Sequence, residues 1–276
     1  MQPVPFAKGH GTGNDFVVLP DPDASLDLTP SRVRSLCDRH SGLGADGVLR
    51  AVRTRAMDRA LNGAGTEWFM DYRNADGSIA EMCGNGLRLF ARYLVNAGLV
   101  PAGELVVGTR SGARPVRVPV CGDVTVDMGP ARLYGASSAA VEGQAFDGLI
   151  IDVGNPHLAC VTEVPLATLD LTVPPGHDPG AFPHGVNVEF VNVTGPATVS
   201  MRVHERGVGE TRSCGTGTVA AAVAVLHSRG AHTGECAVDT PGGRLHVVID
   251  ETTTRLTGPA VIVARGELDA AWWESG

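Results

Sequence analysis

A five-residue phrase occurs twice in this chain. Met82-Cys83-Gly84-Asn85-Gly86 is answered 131 residues later by Ser213-Cys214-Gly215-Thr216-Gly217. Each copy leads into a helical run closed by a glycine, 87–97 at Gly98 and 218–229 at Gly230. Upstream, Asn74 lies nine residues before Cys83 as Glu205 lies nine before Cys214, each after an alternating, strand-like run (68–73 and 199–204). A repeat this long predicts two halves of one design, each presenting a cysteine at the first turn of a helix. Two matched thiols imply a site shared by the halves.

The second helix is alanine and valine from 219 to 225, with no polar residue before His227. A helix apolar all round is buried, so strands should wrap it as the rod of its half. The border between halves is expected at Gly129-Pro130, giving domains over 1–128 and 129–264 in an α/β (α+β) chain of 276 residues. Local signals fill in the elements. Thr29-Pro30-Ser31 predicts a capped helix start running to about His40. The Gly9-His10-Gly11-Thr12-Gly13 run lacks the strand before and helix after that a dinucleotide loop needs, so it reads as a turn presenting Asn14 beside a strand. The arginine-rich stretch 53–65 reads as a solvated loop, and 129–148 is weakly patterned.

Composition excludes several functions. A formal net charge of -8 without a basic cluster argues against nucleic acid. No apolar run approaches the ~20 residues of a membrane span, and Met1-Gln2-Pro3-Val4-Pro5 lacks the build of a signal peptide, which predicts a cytoplasmic protein without a membrane partner. Six cysteines in a chain this size, with no Cys-x-x-Cys or His-Glu-x-x-His, predict reduced thiols and no metal site. Cys37 and Cys160 read as core residues and Cys121 as incidental. Among 22 basic residues only Lys8 is lysine, and it lies in neither a Schiff-base nor a P-loop context, so no cofactor is expected.

A cysteine at a helix N-terminus faces unpaired backbone N–H groups and the positive end of the helix dipole, which favour the thiolate. The same N–H groups, freed of side chains by Gly84 and Gly86 or by Gly215 and Gly217, can hold a carboxylate. Inverting a carbon that bears hydrogen requires a base on one face and an acid on the other. Two thiols, one ionised and one not, meet that need without a cofactor.

The motifs carrying this chemistry resemble those of the diaminopimelate epimerase family along nearly the whole chain. They are Gly9-His10-Gly11-Thr12-Gly13-Asn14-Asp15-Phe16, Arg39-His40 with Gly42-Leu43-Gly44-Ala45-Asp46-Gly47, Asn74-Ala75-Asp76-Gly77-Ser78, Cys83-Gly84-Asn85-Gly86, Gly154-Asn155-Pro156-His157, Val186-Asn187, Glu205-Arg206-Gly207 with Gly209-Glu210-Thr211, and Cys214-Gly215-Thr216-Gly217. The resemblance implies two similar halves, each a mainly antiparallel sheet curled round a central helix, with residues 265–276 returning to the first half. It implies that Cys83 and Cys214 are the acid/base pair and that Gly84-Asn85 and Gly215-Thr216 hold the reacting carboxylate through their N–H groups. Asn14, Asn74, Asn155, Asn187 and Arg206 would bind substrate, with His157 and Glu205 beside the reacting centre. Some members carry a substrate-touching glutamine where this chain has Gly47, so no contact is carried over there. The implied activity is cofactor-independent epimerisation of LL- to meso-diaminopimelate in lysine and peptidoglycan precursor biosynthesis, by a homodimer.

Three other readings compete with this one. A two-thiol racemase of another amino acid, such as histidine or lysine, differs only in its distal pocket, and proline racemase-like enzymes carry histidine where this chain has Asn85. A cysteine hydrolase using His157 leaves one cysteine unexplained and lacks a nucleophile motif. A non-catalytic amino acid binding protein would leave bound ligand unexchanged with solvent.

Overall fold

The computed structural model describes residues 3–57 and 65–275. The chain divides into two compact units, one of residues 1–126 with 259–276 and one of residues 127–258. Most of the expected 53–65 loop lies outside the described residues; Thr54–Ala56 form a 3-10 turn.

Unit 1 contains β1 (Val4–Gly11), β2 (Asn14–Pro20), α1 (Pro30–Cys37), β3 (Gly47–Arg53), β4 (Trp68–Asn74), α2 (Gly84–Asn96), β5 (Gly103–Thr109), β6 (Gly112–Val118) and the start of β7 (Val124–Gly129). Unit 2 follows with β8 (Arg132–Val141), β9 (Gln144–Asp152), β10 (Pro156–Val161), β11 (Gly176–His177), β12 (Asn187–Gly195), β13 (Thr198–Glu205), β14 (Gly209–Thr211), α3 (Gly215–Ser228), β15 (Gly234–Thr240), β16 (Gly243–Ile249) and β17 (Thr254–Gly258). The chain closes in unit 1 with β18 (Val261–Leu268) and α4 (Ala270–Ser275).

Strand pairing reveals the repeat in full. Unit 1 runs β18-β1-β2-β3-β4-β5-β6-β7. Unit 2 runs β8-β9-β10-β12-β13-β15-β16-β17. In both, the successive pairings are antiparallel, antiparallel, parallel, antiparallel, parallel, antiparallel, antiparallel. The β4 to β5 crossover is α2 and the β13 to β15 crossover is α3, as a parallel connection demands.

Each sheet is covered on both faces. In unit 1, α2 touches β1, β2, β3, β6 and β18, while Val17, Val48, Val33, Leu36 and Trp273 form the core on the other side, under α1 and α4. In unit 2, α3 touches β9, β10, β12, β13, β15, β16 and β17, a continuous run of the sheet, which therefore curls round it. The opposite face of that sheet joins Leu158, Cys160, Val188 and Phe190 to Leu166, Leu169, Leu171 and Phe182. Alanines at 220–222 and 224, all fully buried, let the strands approach α3 closely.

The structure differs from the sequence reading in three places. The helix begun at Pro30 ends at Cys37 rather than His40, because Asp38 turns extended and its carboxylate accepts the N–H groups of His40 and Ser41 at 2.8 and 2.6 Å. Both cysteine helices begin directly after the cysteine, since Gly84 and Gly215 open the first turn and each cysteine is the N-cap. The unpatterned stretch 129–148 holds β8 and the start of β9, joined by a tight turn at Glu142-Gly143 with φ of 49° and 84°. Most of β8 is exposed, which removes the apolar alternation a strand usually shows.

Candidate functional site

In unit 1 the site is built on a hairpin and a helix start. Gly11 pairs with Asn14, leaving Thr12-Gly13 as a two-residue loop with both φ positive, at 51° and 79°. That is the type I′ geometry whose twist matches the flanking strands. A β-branched residue there is strained, and Thr12 is held by burial and by hydrogen bonds to the α2 start. The turn aims Asn14 at Cys83: the thiol lies 3.6 Å from Asn14 Oδ1, which also accepts from Asn85 Nδ2 at 3.3 Å. Asn14 Nδ2 donates to Asp46 at 2.8 Å, which fixes the amide's orientation. Asp46 is in turn held by Arg39, which also pairs with Asp15. Cys83 Sγ accepts the N–H of Gly86 at 3.5 Å, the bond expected of an N-cap. Asn74 ends β4 and binds Ser78 across a turn.

Unit 2 repeats this plan with different chemistry. Cys214 Sγ accepts from Gly217 N–H at 3.4 Å and lies 3.4 Å from Thr216 Oγ1. Phe16 pairs with Gly47 in unit 1 as His157 pairs with Asn187 in unit 2. His157 thus occupies the place of Phe16, Asn155 that of Asn14, and Glu189 that of Leu49. His157 and Glu189 are both fully buried, with Nδ1 and Oε1 2.7 Å apart. His157 Nε2 meets Asn155 Oδ1 at 3.0 Å. Both ring nitrogens of His157 are thus engaged, one by the Glu189 carboxyl and one by the Asn155 amide, which holds the ring in place. Burial pushes the Glu189 carboxyl up, against the pull of His157.

The remaining expected residues have defined partners. Asn187 Nδ2 donates to the Pro156 carbonyl and its Oδ1 accepts from the Arg206 N–H, both at 3.0 Å, so its amide shapes the loop carrying Arg206. The Arg206 side chain is exposed and reaches the His184 carbonyl at 3.4 Å. Glu205 accepts from Thr211 Oγ1. One expectation is reversed: the helix N-terminus was expected to favour the thiolate at both cysteines. At Cys214, burial and then the charges of Glu205 and Glu189 outweigh the Gly217 N–H and push the thiol well above its ordinary range.

Sequence reasoning missed Thr12, Asp46, Arg88 and Glu189 as site residues. Thr12 carried a signal, a β-branched residue inside a Gly-x-Gly turn. Lys8, the sole lysine, is bound by Asp15 and the Gly44 carbonyl. No disulfide joins any two of the six cysteines, and no helix among the described residues is long and apolar enough to cross a membrane.

Two repeat units, each a curled sheet around a helix capped by cysteine, define a fold class with known members. The chain is similar in structure to a phenazine biosynthesis protein of the PhzF family from Bacillus anthracis, with a TM-score of 0.73 at 13% identity, covering 97% of this chain and 99% of that one. At that identity the likeness concerns the fold. Sequence narrows the class: the diaminopimelate epimerase family model matches residues 6–134 and 149–267. Two relatives named diaminopimelate epimerase align nearly end to end. The one from Mycolicibacterium smegmatis is 58% identical over 286 residues, 98% of each chain. The one from Rhodococcus jostii is 56% identical over 287 residues, 97% of this chain and 98% of that one. The chain belongs to the diaminopimelate epimerase family and is an isomerase.

Proposed function

We propose that the protein interconverts LL- and meso-diaminopimelate without a cofactor, with Cys83 and Cys214 on opposite faces of one α-carbon. One thiolate removes the α-hydrogen as a proton and the other thiol delivers a proton to the far face, inverting the centre. Backbone N–H groups at Gly84-Asn85 and Gly215-Thr216 hold the adjacent carboxylate, whose charge rises as the proton leaves. Asn14, Asn74, Asn155, Asn187 and Arg206 bind the substrate, several of them at its distal end, where amides and a guanidinium suit a zwitterion. His157 and Glu205 flank the reacting centre. The reaction belongs to lysine and peptidoglycan precursor biosynthesis in the cytoplasm, and the working form is a homodimer.

The observation that carries this reading is the twofold occurrence of a cysteine N-cap on a Gly-x-Gly helix start, at matching places in two units of matching topology. A single nucleophilic cysteine would need it once. The test is proton NMR in deuterium oxide with purified protein and no added cofactor, offering LL-diaminopimelate in parallel with lysine and histidine enantiomers. Deuterium entering one α-position of diaminopimelate as meso product appears is the expected result. Exchange with another amino acid alone would preserve the mechanism and change the substrate; no exchange at all would end the reading.

A further inference from the structure

The hairpin turn of β1 and β2 and the first turn of α2 are joined by an unbroken line of polar side chains. A Cβ at Gly11 would lie 2.9 Å from the Asn85 carbonyl oxygen and 3.1 Å from Arg88 Nη2, so glycine there lets the hairpin rest directly on the helix. Across that contact Arg88 Nη2 donates to Asn85 Oδ1 at 2.8 Å and to Thr12 Oγ1 at 3.1 Å. The Thr12 hydroxyl gives its own hydrogen to Asn85 Oδ1 at 3.2 Å. Asn85 Nδ2 donates to Asn14 Oδ1 at 3.3 Å, and Asn14 Nδ2 donates to Asp46 Oδ2 at 2.8 Å. The Asp46 carboxylate is itself held, since Oδ2 also accepts the Asp15 N–H at 3.0 Å and Oδ1 accepts from Arg39 at 2.7 Å.

The two ends of this line differ in kind, and that gives it a direction. A guanidinium only donates and a carboxylate only accepts, whereas a carboxamide does either according to which way it faces. From Arg88, the first atom met must be the oxygen of Asn85, which leaves its nitrogen for Asn14. From Asp46, the first atom met must be the nitrogen of Asn14, which leaves its oxygen for Asn85. The two ends agree at the middle bond. Reversing either amide would set donor against donor or acceptor against acceptor, beside the buried Arg88, Thr12 and Asn85, where an unmade hydrogen bond is most costly. Asn14 therefore turns its carbonyl oxygen to the Cys83 thiol, at 3.6 Å. The line also accounts for threonine at a φ of 51°: glycine would relieve the strain but has no hydroxyl to give. Unit 2 has no second line, because Thr216 stands in place of Asn85 and Val219 in place of Arg88, and Asn155 is held by His157 instead.

We propose that Arg88, Thr12 and Asp46 are positioning residues that lock the carboxamides of Asn85 and Asn14 in one orientation, so that an acceptor and not a donor faces the reacting centre beside Cys83. This rests on the two-thiol reading only for where the reacting centre lies. Proton–nitrogen NMR of the side-chain amides tests the line without substrate, Asn14 being identified by the signal lost in Asn14→Ala. Arg88 bonds to Asn85 rather than to Asn14, yet Arg88→Met is expected to shift or broaden the Asn14 signal and Arg88→Lys to restore most of it. The amide of Asn192, bonded to the Thr162 and Val164 carbonyls in unit 2, should stay unchanged in both. An unaltered Asn14 signal in folded Arg88→Met would overturn the proposal. Turnover supplies the second test. Arg88→Met and Asp46→Asn should each lower kcat/KM about tenfold, and the double variant by little more than the worse single one, because freeing either end frees both amides. A loss of about a hundredfold in the double variant, the product of independent effects, would equally overturn it. If Arg88→Met does not fold, Thr12→Val, which keeps the shape and removes the hydroxyl, takes its place in both tests with Thr12→Ser as the restoring variant. A parent that fails the exchange assay ends the epimerase reading and leaves the amide signals to decide the line.

Discussion

Cys83 and Cys214 hold the same place on two helices and keep opposite company, and residue-scale predictions follow from that. Replacing either with alanine should lower turnover by about 10²–10⁴-fold, the usual worth of a positioned acid or base, with the melting temperature nearly unchanged. A steady-state assay beside a thermal melt checks both parts. Glu189→Gln keeps the shape of the buried carboxyl but removes its titration, which burial pushes up. Its alkaline limb of activity should move relative to the parent, whereas a merely structural role would lower activity equally at all pH values. Asp15 gives the sign of an acid effect. Burial alone would raise its carboxyl, but Arg39 and Lys8 outweigh burial and bring it from 3.8 to about 2. A depressed carboxyl stabilises the fold above its unfolded pKa and loses that contribution as pH falls through the folded one. Between about pH 4 and pH 2 the parent should therefore lose, after discounting for solvent screening of a half-exposed group, about 1 kcal/mol that Asp15→Asn lacks at every pH, and denaturation curves of the two should converge at the acid end.

Among the elements, the first turn of each cysteine helix shows how a shared backbone meets different neighbours. A Cβ added at Gly217 would lie 2.5 Å from Glu189 Oε1, an atom fixed by His157; at Gly86 the nearest atom would be a Leu49 methyl at 3.2 Å. Gly217→Ala should cost about 1–3 kcal/mol by overpacking. Gly86→Ala should stay within about 1 kcal/mol, since the methyl can shift and alanine gains helix propensity. Urea titrations of the pair test the ordering. The same two turns show what the sequence could reveal. Cys83, Cys214 and the Asn14 turn were legible because glycine and cysteine at fixed spacing report backbone geometry directly. Glu189 was not, because a polar residue alternating with valine and phenylalanine reads as the wet face of a strand, and only the burial of that face under α3 makes it a site residue. Arg88 was hidden for the same reason, as a charge in a helix whose every side is enclosed.

For the whole molecule, the chain's end belongs to its beginning. β18 pairs with β1 from Val4↔Leu268 onward, and Leu268 and Trp273 sit in the unit 1 core. Truncation after Gly258 should strip unit 1 of an edge strand and core side chains, removing its amide-exchange protection while residues 127–258 keep theirs. Protection retained across β1 and β2 would show that β18 is dispensable. Weak patterning over 129–148 concealed β8, which stands beside β9 in unit 2 as β18 stands beside β1 in unit 1. The repeat is thus complete in eight strands per unit, though the sequence announces it only around the cysteines.

Two thiols that act across one carbon must come within reach of each other, and controlled oxidation tests whether they do. With Cys121, the exposed cysteine, replaced by serine, mild oxidant should join Cys83 to Cys214 and abolish turnover, and reductant should restore both free thiols and activity. Peptide mass spectrometry would identify the link. A fully oxidised sample that still turns over, or one in which either cysteine stays free, would contradict the claim that the two thiols face one another.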